Sequence, residues 1–239
     1  MSLDAGPIRR RKLSDEVRER LLERINDGAL GPGDPLPSER ELMAMLGVGR
    51  PAIREAMQQL AAIGLIQVRH GERPRVAPPR LDLLAEQMGL AMRHVLTHDD
   101  TILHQLKEAR IVVETGCARL AATARTPEHL DALRDILARQ LLARHDPPEF
   151  MRRDGDFHTA LAGVTGNVVL SSAVRAVFGW MARFHPRAVH SSGLERLTLD
   201  EHEAIFAAVA AGDPERAAEA MRAHLARANA LYRQAGSAP

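Results

Sequence analysis

Leu13, Val17, Leu21 and Ile25 are spaced four apart, the interval at which one stripe of an α-helix faces a core. The pattern stops at Asp27-Gly28. A second, shorter helix is predicted after Ser38, whose hydroxyl can cap the helix start while Glu41, three residues on, reaches back to the cap amide. Gly47 supplies a residue tolerant of positive φ. Pro51 falls in the first turn of a third helix, where a missing N–H costs little. In that helix Ile53, Ala56, Met57, Leu60 and Ala61 share a face, which leaves Arg50 and Arg54, one turn apart, on a side that need not be buried. Past Gly64, Leu65-Ile66-Gln67-Val68 alternates as a strand would, Arg69-His70-Gly71-Glu72 is turn-like, and Arg75-Val76 can return as a second strand.

Ala77-Pro78-Pro79-Arg80 interrupts both periods, because paired prolines continue neither a strand nor a helix. Residues 79–82 are read as a linker. Beyond it the period is helical throughout, with helices predicted at about 82–96, 99–124, 127–144, 148–164, 167–184, 199–211 and 214–234. Thr126-Pro127 and Asp213-Pro214 are cap-plus-proline starts, Asn167 follows Gly166, and Thr198 with Glu201 has the spacing of another capping box. The expected fold class is mainly α. A basic arm at residues 1–12 leads into a winged helix-turn-helix at 13–78, and an all-helical bundle follows at 83–235.

A helix, a sharp turn and a second helix that opens on guanidinium groups can deliver arginines into a DNA groove. Arginine's planar fork fits guanine O6/N7 or phosphate, and a glycine at a wing tip lets the backbone approach the sugar edge. Residues 1–80 carry 14 Lys+Arg against 11 Asp+Glu, and residues 81–239 carry 18 against 20. So small an imbalance says little, and the arginine positions carry the argument. Through Leu36-Pro37-Ser38-Glu39-Arg40-Glu41-Leu42 and Val48-Gly49-Arg50-Pro51-Ala52-Ile53-Arg54-Glu55-Ala56, residues 13–78 resemble the DNA-binding domain of GntR-type bacterial repressors. The resemblance implies phosphate or base contacts from Arg40, Arg50 and Arg54, with His70 and Gly71 at a wing tip in the minor groove. The wing Gly71-Glu72-Arg73-Pro74-Arg75-Val76 departs from the commoner glycine-rich tip. Together with Arg11-Lys12-Leu13-Ser14 and Glu41-Leu42-Met43-Ala44, it is similar to the sialic-acid-responsive branch of the family. Arg9-Arg10-Arg11-Lys12 reads either as an arm along the minor groove or phosphates, or as a solvated tail.

In the helical half the informative residues are polar ones on apolar faces. Leu103, Leu106, Arg110, Val113, Cys117 and Leu120 run three or four apart, which points a guanidinium into the core, where it needs a partner. Glu114, one turn on, is one candidate. An anionic ligand is the other. Asp154 and His158 project from one side of a helix beside Phe157 and Leu161; His202 sits with Ile205, Phe206 and Val209; His224 sits with Met221, Leu225 and Ala228. One such histidine is more often a satisfied core residue than a ligand. Three with a carboxylate, all on inward faces, fit a divalent transition-metal site of nitrogen and oxygen donors, with zinc favoured over nickel or manganese.

This half also resembles the metal-binding type of FCD ligand domain. Asp154 and His158 match its D-x-x-x-H helix, His202 its E-H helix, His224 the histidine of its last helix, and Arg110 with Glu114 its R-x-x-x-E helix. The resemblance implies a small carboxylate effector, sialic acid or another sugar acid, held by the metal and by a bidentate pair with Arg110. The expected function is a repressor of a catabolic operon, binding double-stranded operator DNA as a homodimer and released by that carboxylate.

Catalysis has less support. His202-Glu203-Ala204-Ile205-Phe206 opens like a zinc-protease helix, but Phe206 stands where a second histidine is needed. Cys117 has no evident base beside it in sequence and reads as a small core residue. A metal with an open position can still activate water, so a metal-dependent hydrolase fused to a DNA-binding domain is an alternative, as is a repressor that senses the metal itself. The single cysteine excludes an internal disulfide, and neither a signal-peptide pattern nor an apolar run of membrane length occurs. A soluble, cytoplasmic protein without a membrane partner is expected.

Overall fold

The computed structural model describes residues 11–69, 71–184 and 193–235, and the chain divides into two compact units between Leu83 and Leu84. In the first, α1 (Leu13–Asn26), α2 (Glu39–Leu46) and α3 (Arg50–Ala62) precede a hairpin of β1 (Ile66–Gln67) and β2 (Arg75–Val76). The strands are antiparallel, with Ile66 opposite Val76. Val17 and Leu21 of α1, Leu42 of α2, and Ile53, Ala56 and Leu60 of α3 form one core with Leu36, Ile66 and Val76. The start of α2 and the turn into α3 follow from their residues. Ser38 accepts from the Glu41 amide at 3.3 Å and donates its own amide to Glu41 Oε2 at 2.7 Å. Gly47 then turns the chain at φ +66°, where an L side chain would be strained. Two expectations are corrected. Leu13 is 54% exposed and Ser14 is buried in its stead, because the stripe settles on Val17 and Leu21. The first strand pairs over Ile66–Gln67 alone, and Val68 projects into solvent.

The remaining helices are α4 (Leu81–His98), α5 (Asp100–Ala124), α6 (Pro127–Leu142), α7 (Pro147–Gly163), α8 (Val168–Phe184), α9 (Glu195–Ala211) and α10 (Pro214–Ala235). α4 begins directly after Arg80, so Leu81 and Asp82 are helical rather than linker. α5 packs on α10, α9, α7 and α8, and α7 lies between α6 and α8. Leu133, Leu137, Phe157, Leu161, Ile205, Met221 and Leu225 fill the shared interior. Leu120, expected in the α5 stripe, is 49% exposed, since the stripe drifts around a long helix and Ala118, Ala121 and Ala122 take the inward positions instead. α9 starts four residues before the predicted 199. Glu195 closes its entry by accepting from the Gly193 amide at 2.9 Å, so Thr198 and Glu201 lie inside the helix and do not cap it. Gly155 brings α7 against α8, for a Cβ there would sit 2.6 Å from the Phe178 ring.

Candidate functional site

On the first unit, Arg40, Arg50, Arg54 and Gly71 are all exposed. Gly71 turns at φ +77°; His70 and the arm residues Arg9 and Arg10 lie outside the described residues. Arg11 and Lys12, at the end of the arm, face Glu19 at 2.9 Å and Glu55 at 3.7 Å. Arg50 and Arg54 flank the buried stripe of Ile53, Ala56, Met57 and Leu60 on α3, and side-chain exposures of 59% and 60% keep both guanidiniums clear of the core. Arg54 Nε donates to Glu39 Oε1 and Oε2 at 3.0 and 3.2 Å. Arg50 Nε approaches Glu39 Oε2 at 3.8 Å, and Arg73 of the wing reaches Glu41 at 3.3 Å.

In the second unit three helices bring three imidazoles together. His158 on α7, His202 on α9 and His224 on α10 offer nitrogen atoms that all lie within 4.8 Å of one another. All three are buried, at 1%, 0% and 4% exposure. Two rings are held through Nδ1 by hydrogen bonds, His202 to Gln140 Oε1 at 2.8 Å and His224 to Glu201 Oε2 at 2.7 Å; His158 Nδ1 lies against the carboxylate of Glu114 without hydrogen-bond geometry. An Nδ1 engaged in this way leaves Nε2 as the free lone pair, which is how protein metal sites fix the tautomer of their histidines. His158 Nε2 and His202 Nε2 are buried without a hydrogen-bond partner, an arrangement that costs free energy unless something fills the gap. The carboxylate of Asp154 lies 3.4 Å from His202 Nε2 and 3.8 Å from His158 Nε2 and accepts from Gln140 Nε2 at 3.3 Å. The donor set therefore fits a divalent transition metal, with Asp154 beside two of the imidazoles.

Arg110 is buried and its Nε donates to Glu114 Oε1 at 2.5 Å, so the partner expected one turn away is present. The pair is incomplete. Arg110 Nη2 is buried with no hydrogen-bond partner, and the guanidinium lies 5.2 Å over the Phe178 ring, which in turn stacks 6.1 Å from His158. Phe178 and Gly155 also line an open cleft of about 790 Å³ between α6, α7 and α8, with Arg139, Arg153 and Arg175 on its walls.

The electrostatics keep His202 and His224 ready to donate. Burial, reinforced by the neighbouring histidines, pushes His202 well below its ordinary value, and burial lowers His224 despite the hydrogen bond to Glu201. Burial raises Glu114, but Arg110 and His158 overcome it and hold the carboxyl at about 2. The consequence is a pH dependence with a definite sign. The unfolded chain takes up protons on these histidines near pH 6.5 whereas the folded one resists them, so stability is full above that value and falls as pH decreases. Calorimetric unfolding of the chelator-treated protein should show a steady Tm from pH 8 to 7 and a decline below about 6.5. A Tm flat down to pH 5 would contradict buried, neutral His202 and His224.

Sequence reading missed Gln140, the role of Glu201, and the second role of Glu114 as the His158 partner. Gln140 was detectable, since it continues the stripe of Leu133 and Leu137 on α6 and is fully buried. The spacing of Glu201 from Thr198 points to a helix start, whereas in the fold it binds His224 and takes both Arg227 Nε and Nη2 at 2.5 Å.

Comparison with known proteins agrees with both halves. Residues 13–76 match the family model described as bacterial regulatory proteins, gntR family, and residues 105–227 match the FCD domain. The chain is 35% identical over 98% of its length to 91% of the HTH-type transcriptional repressor NanR of Klebsiella aerogenes. It is 36% identical over 94% of its length to 86% of the NanR repressor of Cronobacter sakazakii. Among solved structures, Streptococcus agalactiae GntR superposes with a TM-score of 0.69 at 25% identity, covering 91% of this chain and 99% of that one. Both NanR relatives are named as transcriptional repressors, and none of these names points to the hydrolase alternative. No helix among the described residues is long and apolar enough to cross a membrane. An exposed arginine-bearing helix after a capped turn, joined to a helical bundle around buried imidazoles, is thus the form taken here by a member of the GntR family of bacterial regulatory proteins that carries an FCD domain.

Proposed function

We propose that this protein is a transcriptional repressor that binds operator DNA as a homodimer through Arg40, Arg50, Arg54 and the wing at His70 and Gly71. It leaves the operator when a small carboxylate enters the imidazole cluster. The observation that carries this reading is the coincidence of unsatisfied donors and acceptors in one buried place: two histidine Nε2 atoms and Arg110 Nη2 have no hydrogen-bond partner. His158, His202 and His224, with Asp154, would hold a divalent transition metal, zinc favoured over nickel or manganese on ligand rules. The metal would supply an open coordination position for one carboxylate oxygen. Arg110, already turned by Glu114 and braced on Phe178, presents its remaining N–H groups to the other oxygen. Gln140, Glu201 and Glu114 orient the rings. The free edge of Arg110 favours an organic anion over the metal itself as the signal. Similarity to NanR repressors makes sialic acid the first candidate, other sugar acids the next, and a catabolic operon the target.

Protein purified without added metal should contain close to one transition-metal equivalent per chain by elemental analysis, and the His202→Ala, His224→Ala double variant should contain almost none. Equal metal in both would refute the site.

A further inference from the structure

We propose that Glu39 is a positioning residue that gives Arg50 and Arg54 their preference for bases over phosphates. The inference rests on the reading of those arginines as operator contacts. They stand one turn apart on α3, where two positive charges repel each other, and side-chain exposures of 59% and 60% leave both free to move. Glu39 sits between them, on the first turn of α2. The backbone that carries it is fixed, because Ser38 and Glu41 lock that turn in a capping box. The carboxylate engages Arg54 only through Nε, from both oxygens, and meets Arg50 on the same Nε edge. No terminal nitrogen of Arg54 is engaged by another described residue, so its outer edge remains presented.

Two consequences follow from that geometry. The guanidinium is oriented before DNA arrives, with the pair of nitrogens that fits guanine O6 and N7 turned outward. One negative charge also offsets part of the two positive ones, which weakens the sequence-independent attraction to phosphate that dominates non-specific binding. A carboxylate at this position therefore lowers affinity for random DNA more than affinity for the operator.

The test uses the full-length protein, a duplex selected by that protein from a randomised pool, and a scrambled duplex of equal length, titrated by fluorescence anisotropy over a range of salt. Glu39→Gln, which keeps the side-chain shape and removes the charge, should lower the ratio of selected to scrambled affinity by roughly tenfold, the lower part of what one bidentate arginine–base pair supplies. Binding to the scrambled duplex should also become steeper in salt, by about 0.9 in the log–log slope for each arginine that moves to a phosphate. A ratio that is unchanged or higher overturns the proposal, whether both affinities rise together or neither moves. Arg54→Ala run alongside separates the two levels of the argument. If it keeps its affinity for the selected duplex, the operator role of Arg54 fails and the role of Glu39 with it. If it loses that affinity while Glu39→Gln keeps the ratio, Glu39 alone is overturned.

Discussion

Replacing Glu114 with alanine is expected to cost about 3–5 kcal/mol of folding stability, the range for removing one partner of a buried ion pair. The carboxylate is 2% exposed and its two oxygens serve two buried cations or potential cations, Arg110 and His158. Its removal leaves the guanidinium charged, away from water and with only the Phe178 face for company. Acid should have a related but separate effect. In the unfolded chain this carboxyl titrates near 4.5, and in the fold at about 2. Its contribution is therefore complete above pH 4.5 and disappears as pH falls through that window. Urea unfolding at pH 7.5 reads the substitution directly. A loss under about 1 kcal/mol, within the ordinary range of point substitutions, would show that Arg110 is not held as described. The Arg110→Ala, Glu114→Ala pair should be less destabilised than the sum of the single changes, since neither charge is then left alone.

Arg54→Ala should weaken operator binding by about 1–3 kcal/mol, or roughly 5- to 150-fold, with the loss concentrated at one base pair of each half-site. The side chain is exposed and contributes nothing to the core of the first unit, so the fold should survive the change intact. A phosphate contact would behave differently: affinity would fall uniformly across sequences and the salt slope would shrink by about one. Mobility-shift titrations on operator variants distinguish these outcomes, and an unchanged operator affinity would remove Arg54 from the interface.

Much of this was legible in the sequence because it is local. The Ser38–Glu41 box, the left-handed turn at Gly47 and the Thr126 and Asp213 helix starts depend on residues a few positions apart, and the 3.6-residue period placed Arg110, His158, His202 and His224 on inward faces. What local pattern cannot supply is which inward faces meet. Gln140 reaches His202 across 62 positions and Glu201 reaches His224 across 23; both pairings exist only after α6, α9 and α10 have packed. The same limit explains the misplaced start of α9, where Thr198 and Glu201 have the spacing of a cap but are drawn to Arg227 of the neighbouring helix. Glu39 illustrates a further case. Read alone it is one more acidic residue in a helix's first turn, and only the angle between α2 and α3 makes it the common partner of two arginines.

We propose that an anion held at Arg110 controls the grip of the first unit on DNA. A ligand shifts such an equilibrium only through its different affinity for the two states, so release must depend on the guanidinium that holds it. The direct measurement is a mobility shift of the protein–operator complex against increasing sialic acid and a panel of other sugar acids, with wild type and Arg110→Ala side by side. Both proteins should bind the operator alike without effector, at least one carboxylate should release the wild type, and the variant should stay bound at concentrations that free the wild type completely. Release of Arg110→Ala at the same concentration as the wild type would contradict it.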